Sequence, residues 1–295
     1  MPSSLDELVE LLEVEQLEVD LYRGAQPRES ELVRVFGGQV AAQALMAASA
    51  TVDPDRRVHS LHSYFILGGD PAIPIIYDVQ RIRDGGSFST RRVSARQHGE
   101  IIYYLTASFH RQEPGWDHQD VMPDVPRVED SLTLEQLFGE AGGERARRWR
   151  EEWAALEVRY VGDNRPEGGR EREEVPAVQR LWFRGNGTMP SGDQHALHAS
   201  VLTYASDLTL LGSALVPHGV LIGSSKVQAA SLDHAVWFHR EVRADQWMLY
   251  DQTSPSAAGA RGFATGNVYA EDGTLVASVA QEGLIRPVDP ARRRA

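Results

Sequence analysis

One carboxylate, Asp207, stands in the stretch HALHASVLTYASDLTLLGSAL, which is otherwise built of apolar and small residues with two histidines at its start. The spacing predicts a helix over 197–215 that is apolar on most faces and therefore enclosed. A carboxylate enclosed without donors is costly, so it must acquire partners or shift its pKa upward. Asp207 is then either a functional group or a structural one that sits on an exposed flank or merely bonds a neighbouring backbone group. A second polar residue is out of place in LVASVAQEG. Leu275, Ala277 and Val279 alternate along one face of a strand, and the next residue on that face is Gln281. A neutral amide carries both a donor and an acceptor, so it could complete the coordination of a buried carboxylate. At the end of a strand it could equally be structural.

Other candidates are weaker. Ser231 opens SLDHAVWFHR, where strict alternation groups Leu232, His234, Val236 and Phe238 and turns Ser231 to the opposite face unless a bulge intervenes. His234 and His239 lie on opposite faces of that strand and chelate poorly. His195 and His198 could share a helix face, but no third ligand accompanies them, so no metal site is expected. The chain has no cysteine, which removes disulfides, thiolate metal sites and a cysteine nucleophile together. No G-x-S-x-G elbow, G-x-G-x-x-G fingerprint or P-loop is present. Gly37 and Gly38 begin a helical stretch, where free backbone N–H groups could serve a developing oxyanion or where glycine could be present for steric reasons alone.

The elements that would position these residues occur twice. SFSTRRVSARQHGEIIYYLTASF resembles GFATGNVYAEDGTLVASVAQEG: Phe88, Thr90 and Val93 match Phe263, Thr265 and Val268, and after a gap at the turn Gly99 matches Gly273 and Ile101 matches Leu275. Ser60-Leu61-His62 likewise resembles Ser231-Leu232-Asp233. On this alignment Gln281 occupies the place of Ala107, so one copy carries a polar group that the other lacks. In the first copy QLEVDLY reads as a strand and FGGQVAAQALMAASATV as a helix. VHSLHSYFIL, PIIYDVQRIR and the hairpin follow as strands. In the second, LEVRYV, the Asp207 helix, VQAASLDHAVWFHR, QWMLYDQTS and the closing hairpin repeat that order. One long helix followed by four successive strands suits an antiparallel sheet curled round a helix, an α+β class, and not βαβ alternation. The expected organisation is a first domain over 1–112, a linker over 113–155 and a second domain over 156–295. SLTLEQLFGEAG and ERARRWREEWAALE in the linker read as short charged helices, and DNRPEGGREREEVP as an exposed loop. Ser4-Leu5-Asp6-Glu7 fits a capping box before an amphipathic helix.

The net charge of −12 argues against a nucleic-acid partner. No apolar run approaches the roughly 20 residues that span a bilayer. No signal peptide is evident after Met1, and the final residues are not a Ser-Lys-Leu peroxisomal address. The cytosol is the expected compartment.

FGGQVAAQAL, HSLHSYF, PIIYDVQRIRDGGSFSTRRV, YASDL, LDHAVWFHR and VASVAQEG, in this order, resemble the type II acyl-CoA thioesterases, double hot-dog enzymes of bacteria and peroxisomes. The resemblance spans roughly 17–287. It implies two tandem hot-dog domains, hydrolysis of acyl-CoA to fatty acid and coenzyme A, and no cofactor. It also implies a trio of Asp207, Ser231 and Gln281 acting on a water molecule, within a homo-oligomer. The family commonly has threonine where Ser231 stands. Its Arg-Pro-Gly-Asp turn appears here as Leu67-Gly68-Gly69-Asp70, which puts that loop's contacts in doubt. Arg81, Arg83, Arg91 and Arg92 are candidates for the CoA phosphates. Two alternatives remain: a non-catalytic acyl-CoA-binding scaffold, and a hot-dog enoyl-CoA hydratase. The second would need a histidine five residues after the aspartate, where this chain has Gly212.

Overall fold

The computed structural model describes residues 1–28, 32–133, 136–137, 150–163 and 176–288. Among the described residues thirteen strands follow one another. In the first half they are β1 (Val14–Glu18), β2 (Leu21–Gly24), β3 (Arg56–Phe65), β4 (Ile75–Asp84), β5 (Phe88–Gln97) and β6 (Glu100–Arg111). In the second they are β7 (Leu156–Asp163), β8 (Val178–Gly185), β9 (Val227–Ser231), β10 (Asp233–Phe238), β11 (Met248–Ala258), β12 (Arg261–Ala270) and β13 (Leu275–Pro287). They form one sheet in the order β1-β2-β4-β5-β6-β3-β10-β13-β12-β11-β8-β7, with β9 paired to β13. Each half wraps a helix rich in small residues, Gly37–Ser49 in the first and His195–Ser206 in the second. This is the double hot-dog arrangement. The halves fuse where β3 pairs antiparallel with β10, from Asp233 opposite Tyr64 to Trp237 opposite Ser60. The two core helices also pack on each other, since alanines such as Ala41, Ala44 and Ala48 in the first and Ala199 and Ala205 in the second permit close approach.

Strand register gives the internal equivalence. The β5–β6 hairpin is irregular between Ala95 and Arg96, and the β12–β13 hairpin between Val268 and Tyr269. Aligning the two irregularities makes Ala107, opposite Arg91, equivalent to Gln281, opposite Ala264. The apparent match of Val93 to Val268 is therefore displaced by two residues along the strand. A displacement of two conserves which face each side chain occupies, so alternation alone could not detect it. The same alignment pairs the irregularity at Val58 and Ser60 in β3 with the break between β9 and β10. Val58, not Ser60, is the counterpart of Ser231.

Four local expectations change. QLEVDLY is a hairpin rather than one strand, because Asp20 takes a left-handed turn (φ 59°) between β1 and β2. β8 was not anticipated beside the charged insertion. The second core helix ends at Ser206, with Asp207 as its C-cap, and a 3₁₀ segment runs from Leu210 to His218. Thr209 is drawn to β11 by Gln252 Nε2 (2.6 Å), and Pro217 cannot supply a helical N–H. Finally, 195–218 is long and apolar enough to cross a membrane by length and composition, contrary to the sequence reading, but 94% of that window is buried inside the protein.

Ser4 caps the first helix (Leu5–Leu12) by accepting from Glu7 N–H at 3.2 Å. The Glu7 carboxylate turns to Ser3 N and Oγ, each at 2.8 Å, instead of closing the box on Ser4. SLTLEQLFGEAG and the exposed loop anticipated from sequence lie largely outside the described residues; of ERARRWREEWAALE the described part is helical only over 150–152, turns over 153–155 and enters β7 at Leu156 instead of continuing as a helix.

Candidate active site

Asp207 stands where the second core helix stops. The residue is 9% exposed, and Oδ1 accepts hydrogen bonds from Ser231 Oγ (3.0 Å) and Gln281 Nε2 (2.5 Å). Gln281 Nε2 also reaches Ser231 Oγ at 2.9 Å. The structure thus brings the aspartate, hydroxyl and amide into mutual contact from a helix end and two strands.

The break after β9 explains how Ser231 joins them. Ser231 pairs with Gly283 on β13, and pairing resumes at Asp233, opposite Tyr64 on β3. Leu232 lies between: its N–H donates to Glu282 O and its carbonyl accepts from Phe65 N–H, each at 2.9 Å. This interruption resets the alternation, so Ser231 and the fully buried His234 both turn inward. Gln281 follows the uninterrupted alternation of β13 and is completely buried opposite Ala264. Its Oε1 is buried and accepts no hydrogen bond from the protein.

The first half contributes as well. A Cβ on Gly37 would lie 2.7 Å from Asp207 Oδ2 and 2.8 Å from the Phe65 ring, so only glycine fits this approach. Asp207 therefore faces the N-terminus of the first core helix while capping the C-terminus of its own. Burial pushes the Asp207 carboxyl up to about 6. Hydrogen bonds from Gln281, Ser231 and the Gly38 backbone oppose that rise without cancelling it. The Gly38 N–H thus serves the carboxylate, which leaves Gly37 N–H as the remaining oxyanion candidate of the pair.

Behind Asp207, Ser206 is clamped on two sides. Tyr250 OH donates to its carbonyl at 3.1 Å, and His234 Nε2 lies 2.8 Å from its Oγ. Burial lowers the His234 pKa to about 3, so this imidazole is neutral. Phe65 packs against Tyr103 with ring centroids 5.1 Å apart. Sequence reasoning missed these supports. Only the aromatic cluster in HSYF signalled one of them.

The first half lacks this constellation. The counterparts of Asp207, Ser231 and Gln281 are Ala50, Val58 and Ala107, and each helix end closes with the same backbone bond (Leu208 N–H to Ala205 O, Thr51 N–H to Ala48 O, both 3.1 Å). The arginine candidates fare differently from one another. Arg91 is 1% exposed and bonds Thr51 Oγ1, Thr51 O, Asp84 and two further carbonyls, so it is a structural group unavailable to a ligand. Arg81 is engaged by Asp20 at 2.8 Å. Arg92 lies over the Tyr104 ring at 4.8 Å. Arg83 is exposed on β4, and both it and Arg92 are in the first half. His198 Nδ1 accepts from Ala244 N–H at 3.0 Å, and no cluster suited to a metal occurs among the described residues.

Comparisons with known proteins match both halves of the chain. The family model described as acyl-CoA thioesterase matches residues 154–284, and the acyl-CoA thioesterase N-terminal domain matches residues 26–110. The mouse protein acyl-coenzyme A thioesterase 8 is 40% identical over 289 residues, covering 94% of this chain and 88% of its own. Acyl-CoA thioesterase 2 of Haemophilus influenzae is 37% identical, covering 97% and 99%. The crystal structure of an acyl-CoA thioesterase II from Mycobacterium marinum superposes with a TM-score of 0.78 at 43% identity, covering 97% of this chain and 99% of that one.

Proposed function

Because the chain belongs to the acyl-CoA thioesterase family, we propose that it hydrolyses acyl-CoA to free acid and coenzyme A with Asp207 as general base. The observation that carries the assignment of residues is the meeting of Ser231 Oγ and Gln281 Nε2 on Asp207 Oδ1 in a buried site. Water gives one proton to Asp207 and turns the other toward the unsatisfied Gln281 Oε1, while Ser231 fixes the carboxylate. The water oxygen attacks the thioester carbonyl, and the tetrahedral oxyanion meets Gly37 N–H. Collapse breaks the C–S bond, and the departing thiolate takes the proton held by Asp207. No covalent enzyme intermediate is required, because the thioester carbon is already electrophilic. A pKa near 6 suits a general base, since the group is mostly ionised at neutral pH yet basic enough to accept a proton. The same reading makes the enzyme a cytosolic homo-oligomer that neither binds nucleic acid nor inserts into a membrane.

The test is thiol release from hexanoyl- and palmitoyl-CoA. Asp207→Asn should lower kcat by about 10²–10⁴-fold, the usual worth of general-base assistance, with the fold intact by circular dichroism. Near-wild-type turnover would remove Asp207 as the base.

A further inference from the structure

The first half preserves the shape of a site whose chemistry it has lost. Around Val58 an open cleft of about 170 Å³ is bordered also by Arg57, His59, His110, Gln112 and Phe238. By register these residues correspond to Ser231, Ala230, Leu232, Leu284, Arg286 and Phe65 in that sequence of naming. Backbone hydrogen bonds support the correspondence independently. Ile66 and Leu67 N–H both donate to Ile102 O (2.9 and 3.1 Å), and His239 and Arg240 N–H both donate to Val276 O (2.9 and 3.4 Å). The cleft lies at the seam, with seven of its twelve lining residues from the second half, and its Val58 side is the register counterpart of the surface beside Ser231. By that register Arg286 holds the position of Gln112, at the rim.

The ribbon of β9 and β13 links this rim to the chemistry. β9 ends at Ser231 and β13 carries Gln281, while the other end of the ribbon pairs Arg286 with Gln228. Lys226, the only lysine in the chain, adjoins it there: its carbonyl accepts from Val288 N–H at 2.9 Å. Gln281 and Arg286 are five residues apart, roughly 16 Å along an extended strand, with Gln281 on its buried face and Arg286 on its exposed one, so an arm joining them must pass from one face of the ribbon to the other. Among the described residues neither cation has a carboxylate partner, and Arg286 Nη1 reaches only Gln228 Oε1, at 3.3 Å. In a chain with 42 acidic and 30 basic residues, two exposed cations without an acid at one rim are a specific attraction for anions.

We propose that Lys226 and Arg286 form the subsite for the phosphate groups of the coenzyme A moiety, with the pantetheine arm passing from the exposed face of the β9–β13 ribbon to the buried face that carries Gln281. The assignment rests on the acyl-CoA reading above, and it replaces the arginines of β4 and β5. Phosphate contacts of this kind are charge-assisted hydrogen bonds at a solvated surface, weakened by salt.

The experiment compares hexanoyl-CoA with the S-hexanoyl thioester of N-acetylcysteamine, which keeps the reacting bond and lacks every phosphate. In Lys226→Ala/Arg286→Ala, KM for hexanoyl-CoA should rise about tenfold at low ionic strength with kcat nearly unchanged. KM for the truncated thioester should not move. The wild-type KM for hexanoyl-CoA should also rise with added salt, and that of the double variant should rise much less. An unchanged KM for hexanoyl-CoA, or an equal rise for both thioesters, would overturn the subsite. Failure of wild-type protein to release thiol from either compound would instead overturn the hydrolase reading. Charge reversal, Lys226→Glu/Arg286→Glu, should exceed the effect of alanine on hexanoyl-CoA alone.

Discussion

Replacing Gln281 with alanine copies the residue that the first half already carries at that position. The change removes the Nε2 donor from Asp207 Oδ1 and the unsatisfied Oε1 acceptor from the site. A hydrogen bond to a charged group is worth about 1.5–3 kcal/mol, and one pH unit of pKa corresponds to about 1.4 kcal/mol. With water filling part of the space, the carboxyl should rise from about 6 to about 7. The base works when deprotonated. In the wild-type enzyme kcat/KM should therefore fall about tenfold per pH unit below about 6 and level off above it. In Gln281→Ala this acid limb should move upward by about one pH unit. The plateau should also fall by about ten- to a hundredfold, because water loses its second anchor. The measurement is the decay of thioester absorbance between pH 5 and 9, which avoids dyes whose own chemistry depends on pH. A limb that stays in place, or moves down, would show that the amide does not stabilise the carboxylate. A plateau equal to wild type would show that it does not orient water.

Asp207→Asn should stabilise the protein while slowing turnover. The folded carboxyl is held above its unfolded value, from 3.8 to about 6. Its contribution to stability is thus fully present below about pH 4 and lost as pH rises through about 6. At pH 7 that loss is about 3 kcal/mol. Part of it should be recovered in Asp207→Asn, about 1–2 kcal/mol, since one face of the amide would confront the Gly38 N–H. Urea unfolding of both proteins at pH 4.5 and 7 measures this, with a stability difference that grows with pH. Gly37→Ala should cut kcat by at least about tenfold and lower the unfolding midpoint, because its methyl would press on the buried Asp207 Oδ2 and the Phe65 ring. Arg91→Ala should cost about 3–5 kcal/mol by urea unfolding, as five buried or half-buried hydrogen bonds and their desolvated partners are lost. The fraction that remains folded should keep the wild-type KM for acyl-CoA.

Much of the architecture was legible because duplication repeats its own evidence. The alternation of Leu275, Ala277 and Val279 ran on to place Gln281 inward, and the small-residue helices declared themselves enclosed. What composition could not convey was register. Two hairpins with similar patterns align equally well at displacements of two residues, and only the irregularities at Ala95 and Val268 select between them. Ser231 was illegible for a related reason. Its inward orientation depends on Leu232 leaving one strand pair and joining another, a tertiary event with no local signature. The helix end at Asp207 was hidden by the apolar 3₁₀ segment that continues its composition without its hydrogen bonding. Arg81 and Arg91 misled because charge in a sequence carries no record of pairing: Arg81 already has Asp20, and Arg91 already has Asp84.

The asymmetry between the halves has an energetic reason. Holding an aspartate at a raised pKa costs stability at neutral pH, so each additional site of this kind would draw on the few kcal/mol by which a domain is stable. Two halves related by duplication need maintain only one. The first half, with Ala50, Val58 and Ala107, avoids the cost, yet it still supplies Gly37, Gly38 and Phe65 to the other. Those contributions explain why the halves remain fused through β3 and β10. The base comes from the end of one core helix, and the amides that face it come from the start of the other. A second half expressed alone should therefore retain Asp207, Ser231 and Gln281 but lose the N-terminus that opposes the carboxylate, and its activity should return only when the first half is added in trans. Activity from the isolated second half at the wild-type rate would contradict this division of labour.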